Sequence, residues 1–246
     1  MKIAAMETID MPLRSAPPLA EGEAHVWHAR LRNLPLMEPQ PADAADRTPG
    51  PSRFERVRQL RMGQKFVFRL LLGAYLELPG RDVVTVRGKG GKPQLAPPLA
   101  RSGITFNLSH AGEHLAIVVA RQTPVGIDIE CPDRDVRWRK LARRWFSAAE
   151  VEWLEALEPD AARAEFLRLW TLREAMIKAM GATISGHVSQ ITPAAGRPEH
   201  IREMPEGWPA PENWTLHELD RAAGLQGWLA VPGPVASVCT FELAMP

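Results

Sequence analysis

The chain has 246 residues, 45% of them hydrophobic and 24% charged, which suits one or two globular domains and is too apolar for a disordered chain. A net charge of +1 gives no general reason to bind polyanions, and two cysteines, Cys131 and Cys239, supply neither a disulfide framework nor a metal-type spacing. The longest apolar runs, Leu70 to Leu76 and Leu115 to Ala120, are too short to cross a bilayer, and the amino terminus shows no secretory pattern, so a cytoplasmic protein without membrane association is expected.

A strand is expected near Ala24 to Leu31, followed over Pro35 to Pro51 by a surface loop rich in Pro, Asp and Ala. Phe54, Val57, Leu60, Phe66, Leu70 and Tyr75 recur at helical spacing, predicting a long helix from Ser52 to Leu78 that stops at Pro79-Gly80. Val83 to Val86 reads as a short strand, followed by the glycine-rich loop RGKGGKP. Ile104 to Leu108 and Leu115 to Ala120 form an expected strand pair around SHAGEH, and Val125 to Glu130 is a further strand. Ser147 and Glu150 have capping-box spacing and open a helix to about Leu157. A strong helix then runs from about Asp160 to Met180 and stops at Gly181. Strands are expected at Trp214 to Leu219, Gly227 to Val231 and Ser237 to Leu243, giving an α+β organisation.

Charge is unevenly spread. Between Pro51 and Arg101 eleven basic residues stand against three acidic ones, whereas Asp128 to Glu174 holds nine basic and eleven acidic residues. A basic half beside a slightly acidic half suits a small anionic ligand held between them with a metal on the acidic side; solvated helix faces are the plainer alternative. Nucleic acid is disfavoured, because the basic stretch has no zinc-finger or RNA-recognition signature.

Four constellations could carry chemistry. In Gly126-Ile-Asp128-Ile-Glu130, strand alternation turns Ile127 and Ile129 to a core and projects Asp128 and Glu130 together, close enough to share a hard cation. An amphipathic strand with a solvated acidic face explains the same pattern. Trp170, Glu174 and Lys178 are spaced by four and share one helical stripe, either as a ligand or base beside a phosphate-binding cation, or as an exposed i,i+4 ion pair. Ser109 and His110 at a strand end are placed to meet an anion, and no nucleophile elbow surrounds the serine. In Gly88-Lys89-Gly90-Gly91-Lys92-Pro93, glycines permit close approach to a phosphate or base and two lysines add charge, without P-loop spacing. A flexible hairpin tip is the alternative there.

The order GKP, FNLSH, GIDIE, F-S-x-x-E and W-x-x-x-E-A-x-x-K resembles the 4′-phosphopantetheinyl transferase superfamily, closely from Lys89 to Gly181 and more loosely over Ser52 to Leu78. The length resembles the longer, two-half type that activates peptide and polyketide synthetases. One departure stands in the helix motif: the family usually has lysine before the glutamate, where this chain has Arg173. The charge is kept, but the planar guanidinium differs in reach and donor geometry.

The resemblance implies a pseudo-symmetric α+β monomer of two similar halves, residues 1–122 and 123–246, each a small sheet packed by a long helix, with the active site in the cleft between them. It implies transfer of the 4′-phosphopantetheine arm of coenzyme A to a serine of an apo acyl or peptidyl carrier protein, releasing adenosine 3′,5′-bisphosphate. Asp128, Glu130 and Glu174 would hold Mg²⁺, or Mn²⁺ in its place. Glu174 would also serve as base, directly or through a metal-bound water, and Lys178 would stabilise phosphate charge. Lys89, Lys92, Pro93, Ser109 and His110 would hold the nucleotide, with Arg53 and Arg61 toward the 3′-phosphate. Two rivals are a non-catalytic module that binds coenzyme A or another polyphosphate, and a metal-dependent phosphoester hydrolase.

Overall fold

The computed structural model describes residues 1–10, 13, 15–31, 52–219 and 224–244, and the loop expected over Pro35 to Pro51 lies outside them. Strand β3 (Glu23–Arg30) pairs antiparallel with β7 (His114–Arg121), which pairs with β6 (Ile104–Ala111), while the long helix α1 (Arg53–Leu76) intervenes between β3 and β6 in the chain. Further along, β8 (Gly126–Glu130) pairs antiparallel with β12 (Gln226–Val231), which pairs with β11 (Thr215–Glu218); helix α4 (Pro159–Met180) intervenes between β8 and β11. The last strand, β13 (Ser237–Ala244), does not join this second sheet. It runs parallel beside β3, and on its other side pairs with β1 (Lys2–Ile3) and β2 (Glu7–Asp10).

Three apolar layers hold the molecule together. Val67, Phe68, Leu71 and Leu72 of α1 pack on Trp27, Phe106, Ile117 and Phe241 of the first sheet. The opposite face of that sheet, with Val26, Val118 and Val238, packs on Ile127, Ile129 and Leu229 of the second. Leu172, Met176 and Ile177 of α4 close the outer face of the second sheet with Trp228. The order is helix, sheet, sheet, helix, so every strand face in the middle is buried and the apolar content of both sheets is explained. No helix among the described residues is long and apolar enough to cross a membrane.

Local chemistry sets the helix ends. Ser52 and Glu55 form a reciprocal capping box at the start of α1, and Ser147 with Glu150 forms another at α3 (Ala148–Glu155). Helix α4 begins with Pro159 and ends where Gly181 takes a left-handed φ of 60°. Short helix α2 (Trp138–Trp145), the hairpin β4–β5 (Thr85–Arg87, Pro93–Leu95), the one-turn α5 (Ile184–His187) and the hairpin β9–β10 (Thr192–Ala194, Arg197–Glu203) complete the elements.

The helix expected over Ser52 to Leu78 is present as α1, but three of the apolar residues that marked it, Phe54, Val57 and Phe66, are 78%, 41% and 44% exposed. The fully buried residues of α1, Val67, Leu71 and Leu72, are in its carboxyl-terminal half; of the amino-terminal half, Leu60 is packed against the same core.

Candidate active site

The two sheets meet edge to edge at β6 and β8, and side chains rather than backbone make the join. Thr105, Asn107 and Ser109 alternate along β6 and so share one face. Thr105 donates to the Thr123 carbonyl, Asn107 accepts from the Ile127 N–H at 3.0 Å, and the Ser109 hydroxyl donates to Asp128 Oδ1 at 2.7 Å. Asn107, and Ser109 by accepting from the Ile129 N–H at 3.4 Å, take the place of ladder partners that β8 lacks on this side, where backbone donors would otherwise be buried unpaired.

Helix α4 crosses directly over β8. A Cβ at Gly126 would lie closer than 3.0 Å to the Ala175 carbonyl and the Ala179 nitrogen, so only glycine lets the helix descend this far. The descent delivers Lys178 to the strand: its Nζ donates to Asp128 Oδ1 at 2.6 Å, to Ser109 Oγ at 3.2 Å and to the Ile127 carbonyl at 3.3 Å. Ser109 and Asp128 are both buried and Lys178 is partly so. The alternative of an exposed Glu174–Lys178 pair is therefore replaced by a sheltered pair between helix and strand.

Glu174 lies one turn before Lys178 and receives a hydrogen bond from the Trp170 indole. Burial, and then the negative charge of Asp128, push its carboxyl up to about 7. Glu130 is raised as well, chiefly by burial, and is held by Arg134, four residues on. Asp128, Glu130 and Glu174 thus act on one another electrostatically, with Lys178 and Arg134 as the neighbouring cations. His110 follows Ser109 with its ring toward solvent; partial burial and the charge of Lys178 lower its pKa, and Arg61 of α1 adds to the effect.

The other expected nucleotide contacts lie elsewhere. Lys92 Nζ donates to the Val125 carbonyl at 2.7 Å and the Ala179 carbonyl at 3.1 Å, and burial lowers its pKa to about 8. Two of its three donors thus bind the loop to the start of β8 and to the end of α4 instead of facing a phosphate. Gly90, at φ 62°, lets this loop seat on the Gly181 carbonyl, where a side chain would clash. Lys89 and Pro93 border a cavity of about 490 Å³ between the loop, β6 and the end of α4. The Arg53 side chain lies outside the described residues.

The sequence pattern did not reveal the role of Arg173. Its guanidinium is fully buried, stacks on Phe146, and donates to Glu150 at 2.5 Å, to the Ile191 carbonyl and to the Leu169 carbonyl. Glu150 is thus at once a capping-box residue and the partner of a buried cation, fixing α3 against α4. Asn107 and Arg134 also escaped the motif reading; the polar alternation of β6 and the i,i+4 spacing from Glu130 were the available signals.

Comparison with known proteins places the chain in a family. The family model for the 4′-phosphopantetheinyl transferase superfamily matches residues 124–224. The 4′-phosphopantetheinyl transferase HetI of Nostoc is 34% identical over 180 residues, covering 68% of this chain and 72% of HetI. A Synechocystis protein described as a candidate 4′-phosphopantetheinyl transferase is 33% identical over 147 residues, 58% of this chain and 59% of that protein. AcpT of Escherichia coli, a 4′-phosphopantetheinyl transferase, is 37% identical over 98 residues, and the match spans about half of it, 49%. With its strand carboxylates, its helix glutamate and lysine, and its similarity to HetI over most of both chains, this chain belongs to the 4′-phosphopantetheinyl transferase superfamily.

Proposed function

We propose that the protein transfers the 4′-phosphopantetheine arm of coenzyme A to a serine of an apo acyl or peptidyl carrier protein. The observation that carries this reading is the meeting of β8 and α4: Lys178 on Asp128 at 2.6 Å, with Glu130 and Glu174 in the same charged pocket, in a chain of this superfamily. The serine oxygen attacks the β-phosphorus of coenzyme A, the pyrophosphate bond breaks, and adenosine 3′,5′-bisphosphate leaves with the bonding electrons. Glu174, directly or through a water, accepts the serine proton. Lys178 faces the charge that develops on the phosphate oxygens, where a preset ammonium is worth most. His110 and Arg61 line the basic side for the nucleotide phosphates, Ser109 holds Asp128 in place, and Lys89 and Pro93 border the nucleotide, with Lys92 fixing their loop. Arg53 is assigned toward the 3′-phosphate with Arg61.

Asp128, Glu130 and Glu174 would hold Mg²⁺ or Mn²⁺. Their chemistry fits: three hard oxygen donors, two with ionisation opposed by burial and by Asp128. Among the described residues no three such groups are yet close enough to clasp an ion, so Glu130 would have to turn from Arg134 and Asp128 from Lys178. When bound, the ion supplies neutralisation of pyrophosphate charge.

The strand–helix–strand–strand order, with the third strand between the other two, recurs in β3–α1–β6–β7 and β8–α4–β11–β12. It supports reading residues 1–122 and 123–246 as a pseudo-symmetric duplication, with β13 crossing to the first sheet; we propose further that the protein acts as a monomer in the cytoplasm.

Incubation with coenzyme A, Mg²⁺ and a panel of apo carrier proteins, followed by mass spectrometry, tests the proposal. The expected result is one added phosphopantetheine per carrier with matching adenosine 3′,5′-bisphosphate, lost in excess chelator and in Asp128→Ala. Phosphate release from simple esters without carrier modification would overturn it, as would coenzyme A binding with no turnover on any carrier.

A further inference from the structure

The two sheets leave a cavity of about 580 Å³ between the β3–β13 pair and β11, bordered on one side by residues 3–6. Alternation decides which side chains enter it. Val26 and Val238 pack toward the second sheet, so His28, Thr240 and Glu242, an even number of residues along the same strands, project the same way. His217 alternates with Leu219 and opposes Leu229, both of which face the first sheet, so it enters from the other side. His28 is the register partner of Glu242 on one side and of Ala116 on the other, and Ala116 is the partner of Ser109. His28 therefore lies two strands, about 10 Å, from Ser109. The fully buried Ala116 stands between them, so the cavity is separate from the Asp128–Lys178 site.

Its polar walls are unused. Elsewhere Asn107, Ser109 and Arg173 are tied to protein partners, as sheltered polar groups generally are. Around the cavity, the imidazoles of His28 and His217 and the hydroxyl of Thr240 make no hydrogen bond to any described residue. The Glu242 carboxylate has no cationic partner among the described residues, whereas Glu218 at the rim is tied to Arg168 of α4. Burial lowers the pKa of both histidines, with His114 adding to the effect at His28, so each ring is neutral at pH 7 and keeps one acceptor nitrogen. No lysine or arginine is among the described residues that line the cavity. An anion there would meet Glu242 and no cation, which disfavours a second phosphate site. A bare metal ion is disfavoured too, because no three described ligands come close enough to clasp one. An ammonium group meets one free carboxylate and the lone pairs of two rings and a hydroxyl, beside the apolar side chains of Ile3, Met6 and Leu219. We propose that this cavity binds a small organic ammonium ion with an apolar body, of the size that such cavities commonly enclose. The inference does not depend on the transferase reading.

The test uses the full chain labelled with carbon-13 in its histidine rings, the signals being assigned with His28→Gln and His217→Gln. The labelled chain is titrated near neutral pH with tryptamine and, in parallel, with indole-3-propionate, which has the same apolar body and the opposite charge. Tryptamine should shift the ring signals of His28 and His217 together, saturating with a Kd below about 1 mM. Indole-3-propionate at about ten times that concentration should leave both in place. Glu242→Gln alters an exposed side chain, should melt with wild type, and should weaken tryptamine about fivefold. No shift at either histidine, equal binding of the two compounds, or an unchanged Kd in folded Glu242→Gln would overturn the site. Shifts confined to His110 would place the amine beside Lys178 and overturn it equally.

Discussion

Replacing Glu174 by Gln tests whether the helix carboxylate is held in a crowded negative pocket. Burial and the charge of Asp128 push its carboxyl to about 7, from an ordinary value of 4.5. A carboxyl with a folded pKa above its unfolded one binds its proton more tightly in the folded chain. Its ionisation therefore costs nothing below about pH 4.5, costs progressively more up to about pH 7, and costs the full amount above that. At about 1.4 kcal/mol per pH unit the full penalty is about 3 kcal/mol. Gln keeps the shape, can still accept from the Trp170 indole, and carries no charge. Metal-free Glu174→Gln should thus exceed wild type in stability by about 3 kcal/mol at pH 8, with the gap closing toward pH 4.5. Urea unfolding in chelator across this range should show the midpoints separating by about 1 M at the alkaline end. Parallel stability curves, or a variant weaker than wild type at pH 8, would refute the crowding. Transfer activity should move the opposite way and be lost, as expected where a site is built at a cost in stability.

Lys178→Ala should lower stability by about 1–3 kcal/mol, because Asp128 is left buried with only Ser109, and should collapse turnover at saturating coenzyme A. A cost under about 0.5 kcal/mol with turnover intact would instead indicate a loose surface pair. Lys178→Arg should rescue turnover poorly, since the wide fork cannot place its charge at the same point. Gly126→Ala should lift α4 from β8, costing about 3 kcal/mol together with activity; an unchanged melting temperature would sink that account of the helix approach. Arg173→Lys should lose the fork to Ile191 and Leu169 yet keep a charge for Glu150, lowering stability by about 1–2 kcal/mol with turnover within about twofold. Arg173→Met should cost about 3–5 kcal/mol by stranding Glu150, and melting curves that rank the two variants the other way would contradict the pairing.

Much of the site was legible because motif residues obey short-range geometry. Alternation put Ile127 and Ile129 in the core and Asp128 and Glu130 on the other face, and fourfold spacing put Glu174 and Lys178 on one stripe. What spacing could not supply was the partner across space. Lys178 sits as naturally beside Glu174 in one dimension as beside Asp128 in three, and only the approach permitted by Gly126 decides between them. Arg173 read only as a departure from the family's lysine, because nothing local announces Glu150, twenty-three residues earlier, as its buried partner. The exposure of Phe54, Val57 and Phe66 was not legible for a related reason: periodicity says which side chains share a face, not whether a sheet lies beneath it. Of the fold, the long helices and most strands were readable, whereas the placing of β13 in the first sheet depends on pairing between distant segments, which local pattern does not encode.

The position of β13 has a consequence for how the molecule is made. The strand lies between β3 and the β1/β2 edge, and Ser237 hydrogen-bonds to Glu23 across 214 positions of sequence. During synthesis the first sheet must wait for a strand that is made after β3, β6 and β7 and after every element of the second sheet, with the β3 edge unpaired meanwhile. Such an edge is a template for pairing with neighbouring chains. Nascent chains stalled before residue 237 should therefore be protease-sensitive and prone to aggregate even though residues 1–122 are already present. Shortening the chain by these eight residues removes an interior strand of the first sheet. The two halves of the fold are thereby tied into one cooperative unit by a strand that follows the second half in sequence and pairs in the first.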